Sequence, residues 1–191
     1  MTKRGFTIIE LVVSISIITM LTVLFVTNYH SNNKRTDLIM AAQNLVASLH
    51  LAQNNTLGLV KYGGSVPAGG WGIILNTASS SNNSYLVFAD LDAPGTSGYL
   101  DYDPSAEGDI SSGARLITLP PGIIISSLKT PEDSSIGQAQ VSFLPPDPQT
   151  NIYNSDNSST STKLTIELKE AVNNSVKTVQ VNFLGLAEVI D

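Results

Sequence analysis

The chain has 191 residues and no cysteine. That excludes a disulfide framework, a thiol nucleophile and a thiolate metal site, so stability must come from packing. Histidine is almost as scarce, with His30 and His50 alone. Both fall on what reads as one helix, about 30 Å apart, too far to share a metal ion. The rest of the chain therefore lacks the histidine and cysteine of Ser–His or Cys–His nucleophilic centres. Charge is sparse as well: 14% of residues are Asp, Glu, Lys or Arg, and the formal net charge is -6. An acidic chain with few basic residues is poorly suited to coating nucleic acid or anionic membranes by bulk electrostatics. A hydrophobic fraction of 42% excludes a disordered tail and leaves room for one globular domain with its own core.

What the chain does have is concentrated at its start. Met1-Thr-Lys-Arg-Gly5 precedes an apolar run, Phe6 to Val26, whose one charge is Glu10. As a helix this run spans a hydrocarbon layer about 30 Å thick. Lys3 and Arg4 before it place the N-terminus on the cytoplasmic side and the remainder outside. A conventional secretory signal has a shorter apolar core followed by small residues at the cleavage site, and Thr27-Asn-Tyr-His-Ser offers none. A plain anchor leaves Glu10 unexplained, because a carboxylate inside a spanning segment is costly.

Lys3-Arg-Gly-Phe-Thr-Ile-Ile-Glu10-Leu-Val-Val closely resembles the class III signal of type IV prepilins and type II secretion pseudopilins. The resemblance implies cleavage between Gly5 and Phe6 by a prepilin peptidase on the cytoplasmic side, then N-methylation of Phe6. It also implies that Glu10 meets the terminal amine of a neighbouring subunit in a filament, offsetting the burial of both charges. Loss of the leader removes Lys3 and Arg4 and leaves the mature chain near -8 by side chains. Many major pilins carry a proline where this chain has Thr27, and a C-terminal cysteine pair. Neither is present, which favours a minor pilin or pseudopilin.

Past Val26 the pattern stays helical. Leu38, Ala42, Leu45, Leu49 and Ala52 form one apolar stripe on an otherwise polar helix. Polar residues from Asn28 to Lys34 predict a bend at the membrane exit. Gly58 to Gly70, with Gly63-Gly64, Pro67 and Gly69-Gly70, stops the helix, which is expected over Phe6 to Asn55. The domain plan is thus 1–5 leader, 6–28 transmembrane or filament-core helix, 29–57 amphipathic continuation and 58–191 β-rich head.

Strands are expected at Trp71–Leu75, Tyr85–Phe88, Arg115–Leu119, Ile123–Ser126, Ala139–Phe143, Lys163–Leu168 and Lys177–Asn182. Leu186 to Ile190 is expected to close the sheet. Ala78–Ser84, Asp92–Gly113 and Pro145–Thr162 read as Ser- and Asn-rich linkers, the last as a surface loop. Trp71 is expected to anchor the helix–sheet core.

These blocks resemble the ectodomain of H-type minor pseudopilins and their FimT-like pilus relatives. The resemblance rests on Gly70-Trp71-Gly72-Ile73-Ile74, Tyr85-Leu-Val-Phe-Ala-Asp90, Leu119-Pro-Pro-Gly122, Phe143-Leu-Pro145 and Asn182-Phe-Leu-Gly185, in that order over nearly the whole chain. It implies an α+β pilin-like fold: a long N-terminal α-helix, membrane-spanning in its first half, packed on an antiparallel β-rich head.

Asp90, Asp92, Asp101 and Asp103, with Glu107 and Asp109 beyond, gather oxygen ligands of the kind calcium prefers, in a loop containing Gly and Pro. The spacing is not that of an EF-hand, and Asp92-Ala-Pro-Gly95 breaks the Asp-x-Asn-x-Asp-Gly pattern of related heads. A solvated acidic loop with Asp at its turns explains the same residues without a metal. No cofactor other than calcium is suggested. Lys163, Lys169 and Lys177 are interleaved with Glu167 and Glu170, which argues against a nucleic-acid patch.

The reading is a structural, minor subunit of a type IV pilus or type II secretion pseudopilus, not an enzyme. Its expected partners are other pilin or pseudopilin subunits, the prepilin peptidase, an assembly platform protein and the cytoplasmic membrane. The chain is expected to pass from a single-span state with its head outside into the filament. The alternative is a membrane-anchored extracytoplasmic module binding calcium, DNA or a secreted substrate.

Overall fold

A computed structural model describes residues 7–96, 99–100, 102, 115–132, 135–145, 149–154 and 161–190, the side chains of 27–32 excepted. One helix, α1, runs from Ile8 to Leu57. The backbone is helical through the polar stretch 28–34 and continues two residues past Asn55. Gly58 then caps it, donating its N–H to the Asn54 carbonyl at 2.8 Å.

Nine strands follow: β1 (Gly70–Asn76), β2 (Ser84–Asp90), β3 (Arg115–Thr118), β4 (Ile123–Lys129), β5 (Gln138–Leu144), β6 (Gln149–Asn154), β7 (Lys163–Glu170), β8 (Val176–Asn182) and β9 (Ala187–Ile190). They make two antiparallel sheets rather than one, ordered β3-β2-β1-β5-β6 and β4-β7-β8-β9. The last strand therefore forms an edge of the second sheet, paired only with β8.

Strand β6 corrects the sequence reading, which left 145–162 as a loop. It pairs with β5 from Ala139↔Asn154 to Leu144↔Gln149. Alternation carries it: Ile152 is fully buried opposite Val141, and Thr150 is buried opposite Phe143, although the segment is otherwise polar.

Helix α1 packs on β1 and β5 of the first sheet and on β4, β7, β8 and β9 of the second. Leu38, Ala42, Leu45, Leu49 and Ala52 are each at most 1% exposed, so the stripe read from spacing is the core-facing edge of the helix. Ala41 joins it, and Ser48 is buried beside it, where its hydroxyl pairs with that of Tyr85 at 2.9 Å. Facing them, Ile73, Val141, Phe143, Ile125, Ile166 and Val179 are fully buried. Each large aliphatic or aromatic side chain so buried contributes about 1.5–3 kcal/mol. Trp71 packs half-buried against this core; its indole N–H donates to the Val60 carbonyl at 3.3 Å and its ring meets Tyr62 edge-on.

The other face of the first sheet carries Leu86 and Phe88, with Ile74 beside Leu86 on the neighbouring strand and the Tyr102 ring packed against Phe88. The chain after β2 is tied across this face. The Gln140 side chain accepts from the Tyr102 N–H at 3.1 Å and donates to the Leu100 carbonyl at 2.7 Å.

Candidate functional site

The first 19 helical residues, Ile8–Val26, have a mean hydropathy of 2.5, and none of this stretch is covered by the head. Such a surface is stable only in lipid or against other apolar helices. Its polar residues fit that setting. The hydroxyls of Ser14, Ser16, Thr19 and Thr22 donate to the carbonyls of Glu10, Val12, Ile15 and Ile18, four residues back, at 2.7–2.9 Å. Each hydroxyl proton is thus satisfied within the helix and needs no water.

Glu10 is the exception. The Thr7 hydroxyl caps the helix by accepting the Glu10 backbone N–H at 3.3 Å, which puts the carboxylate in the first turn, where the helix dipole favours negative charge. The side chain is exposed, and the next cation along the helix is Lys34, about 36 Å away. Gly5 and Phe6 lie outside the described residues.

In the head, Asp90 is fully buried. Its Oδ1 accepts from the Asp92 N–H at 2.9 Å and its Oδ2 from the Leu100 N–H at 2.6 Å, so this carboxylate organises the turn that follows β2. Asp92 adjoins it, with a buried Oδ2 that has no hydrogen-bond partner among the described residues. Asp101, Asp103, Glu107 and Asp109 lie outside the described residues. Among the described residues no group of three or more His, Cys, Asp or Glu side chains could hold a metal ion. His50 is half-buried on α1, and the side chain of His30 is outside the described set.

An open cleft of about 350 Å³ lies between α1 and β3, lined by Asn44, Ser48, Tyr85, Arg115 and Ile117 among others. Burial pushes the Tyr85 phenol above its ordinary value, against the opposing pull of the Ser48 hydrogen bond and the Arg115 charge. Among the described residues that line the cleft there is no His, Cys, Asp or Glu.

Sequence reasoning missed Glu170, which is fully buried at the end of β7. Its carboxylate accepts the N–H groups of Val172 and Asn173, both at 2.7 Å, and so shapes the β7–β8 turn. A carboxylate two and three residues before a pair of amides, at a strand end, is the signal that could have found it.

An apolar helix of spanning length, the one such helix among the described residues and uncovered by the β-rich head, supports a membrane-anchored protein with a single span. Residues 1–26 match the family model for the prokaryotic N-terminal methylation motif. That motif is typical of type IV prepilin-like proteins; it supports a type IV pilin-like precursor processed by prepilin peptidase, and it implies assembly with other pilins. The motif points to a structural protein. No curated protein and no solved structure matches the chain.

Proposed function

We propose that the chain is a minor subunit of a type IV pilus or a type II secretion pseudopilus, with its head outside the cytoplasmic membrane before assembly. The observation that supports this best is Glu10, the single carboxylate on the apolar stretch Ile8–Val26, whose serine and threonine hydroxyls are bonded within the helix. Cleavage between Gly5 and Phe6 creates a new amine one helical turn before Glu10, and the amine of one subunit neutralises the Glu10 of the next. Apolar helices then bundle, with the charge pair setting their register, and the heads form the outer surface. The blocks running from Gly70-Trp71-Gly72 to Asn182-Phe-Leu-Gly185 support the H-type or FimT-like subclass. Intact-mass measurement and N-terminal sequencing of the full chain, co-expressed with a prepilin peptidase, test the reading. A mature N-terminus at methylated Phe6, abolished by Gly5→Val, is the expected result; an uncut Met1 or a cut after Val26 would overturn it.

A second reading, in which the head also holds calcium at Asp90 and Asp92 with Asp101 and Asp103, is favoured by one observation: the buried, unpartnered Oδ2 of Asp92. It requires thermal stabilisation by calcium, reversed by chelation and absent in Asp92→Asn.

A further inference from the structure

The two ends of the head can be ordered along α1, and the order places one surface against the bilayer. Near the span, the Lys34 ammonium donates to the Pro121 carbonyl at 2.9 Å, in the turn before β4. The Ala171 N–H, just past β7, donates to the Gly122 carbonyl of that same turn at 2.9 Å. The end of β7 therefore lies at the level of Lys34. The start of β7 lies far from the membrane: Thr162 accepts the Phe183 N–H at 2.9 Å, and a Cβ on Gly185 would meet the Gln53 side chain. Strand β7 thus runs antiparallel to α1, towards the membrane, and among the described residues the β7–β8 turn lies at the membrane-facing end of the head, beside the Pro120–Gly122 turn.

Height follows from helix geometry. Lys34 is eight residues past Val26, about 12 Å beyond the end of the apolar span. The turn carries the chain further towards the membrane, by at most about 6 Å for the two residues from Glu170 to Val172, so its near limit is about 6 Å from the hydrocarbon edge. That is the depth of the headgroup layer.

The chemistry of the tip matches. Val172 is 70% exposed and Val176 48% exposed, aliphatic side chains with no cover from the head. Lys34, Arg35, Lys169 and Lys177 lie at this end, against Asp37, Glu170 and Glu167, the last paired with Lys129. Asp37 is 4.0 Å from Lys34, and the Glu170 carboxylate is taken up by the two turn amides. The surface is locally basic although the chain as a whole carries -6. An aliphatic tip flanked by Arg35 and Lys169 is the pattern that seats on lipid headgroups, the stems snorkelling and the charges meeting phosphates.

We propose that the β7–β8 turn docks on the bilayer surface, with Val172 in the headgroup layer and Arg35 and Lys169 on lipid phosphates. Docking would hold the head upright and at a fixed height in the membrane-anchored state, and would have to be broken when the subunit leaves the bilayer. The inference rests on the membrane-spanning reading of Ile8–Val26.

Because the chain has no cysteine, single labels can be placed cleanly. Val172→Cys, Leu184→Cys and Ile18→Cys variants of the full chain would each carry a bimane label, in phosphatidylcholine–phosphatidylglycerol nanodiscs holding one chain each. Quenching by acrylamide is the readout. The Ile18 label is expected to be shielded and the Leu184 label, on the distal hairpin, open. The Val172 label should quench with a slope about two-fold shallower than that at Leu184, steepening when Arg35→Glu and Lys169→Glu are added. A Val172 slope equal to that at Leu184, with Ile18 still shielded, would sink the docking proposal alone. An open Ile18 would instead sink the spanning reading beneath it. Shielding of Val172 seen only in discs holding two or more chains would assign the tip to a second copy and overturn the proposal.

Discussion

The Thr56 hydroxyl donates to the carbonyl of Phe143 at 3.0 Å and, through the same oxygen, accepts the backbone N–H of Trp71 at 3.0 Å. One buried atom thus closes the last turn of α1 onto two neighbouring strands, β1 and β5. Replacing it with a shape-equivalent aliphatic leaves both backbone groups in a dry site without partners, at about 1–3 kcal/mol for each unsatisfied group. Thr56→Val is therefore expected to lower stability by about 2–6 kcal/mol in thermal or urea unfolding. Thr56→Ser, which keeps the hydroxyl, should recover most of it. Equal stability of the two variants would mean that the hydroxyl is not what joins helix to sheet.

Gly69 has no room for a side chain, because a Cβ there would collide with the Asp90 carboxylate. That carboxylate holds the Asp92 and Leu100 amides, so displacing it releases the segment that covers Phe88. Gly69→Ala is expected to cost about 1–3 kcal/mol and to speed proteolysis after Asp90. Gly137→Ala, where a Cβ meets nothing within 4 Å, is the control and should behave as wild type.

These two positions show what was legible beforehand and what was not. The helix, its apolar stripe and most strands follow from local pattern, because burial imposes periods of 3.6 and 2 on the residues themselves. Gly70 belongs to a recognisable Gly-Trp-Gly block, and its need for glycine is now physical: φ is +82° and a Cβ would strike the Phe143 carbonyl. Thr56 gave no such signal, since a threonine near a helix end usually faces solvent. Strand β6 was hidden because its pairing to β5 buries only Ile152 among its large aliphatics. The division into two sheets was equally hidden, since it depends on which distant strands meet. Glu10 stood out because charge in an apolar run is costly wherever the fold puts it.

Stability should depend on pH at both ends of the scale. Burial alone would raise the Glu170 carboxyl, but the amide hydrogen bonds from Asn173 and Val172, helped by Lys34, hold it below its ordinary value of 4.5. A depressed folded value means that the unfolded chain binds the proton more readily. This contribution is present above pH 4.5 and is lost as pH falls through the folded value. Tyr85 works in the opposite direction. Raised by burial above 10.0, it favours folding below that pH, and the contribution fades as pH climbs through the folded value. Glu170→Gln should lower the melting temperature at pH 7, and its difference from wild type should shrink on acidification. Tyr85→Phe should flatten the alkaline limb. An acid limb unchanged in Glu170→Gln would assign acid unfolding to other carboxylates.

Glu10 offers two readouts of opposite sign. For insertion of a single chain into a bilayer, a carboxylate is a cost of up to about 2.5–3.5 kcal/mol, so Glu10→Leu should insert at least as well as wild type. For assembly, the same substitution removes the one group on the apolar helix able to pair with a neighbouring terminal amine. Peptidase processing of Glu10→Leu is expected to continue, while incorporation into filaments should fall by an order of magnitude or so, as expected for about 1.4 kcal/mol or more of lost pairing. Mass spectrometry of the mature chain and immunodetection in sheared filaments separate the two effects. A carboxylate that was merely tolerated would leave incorporation unchanged when replaced by leucine, and the charge-pairing account of assembly would then be abandoned.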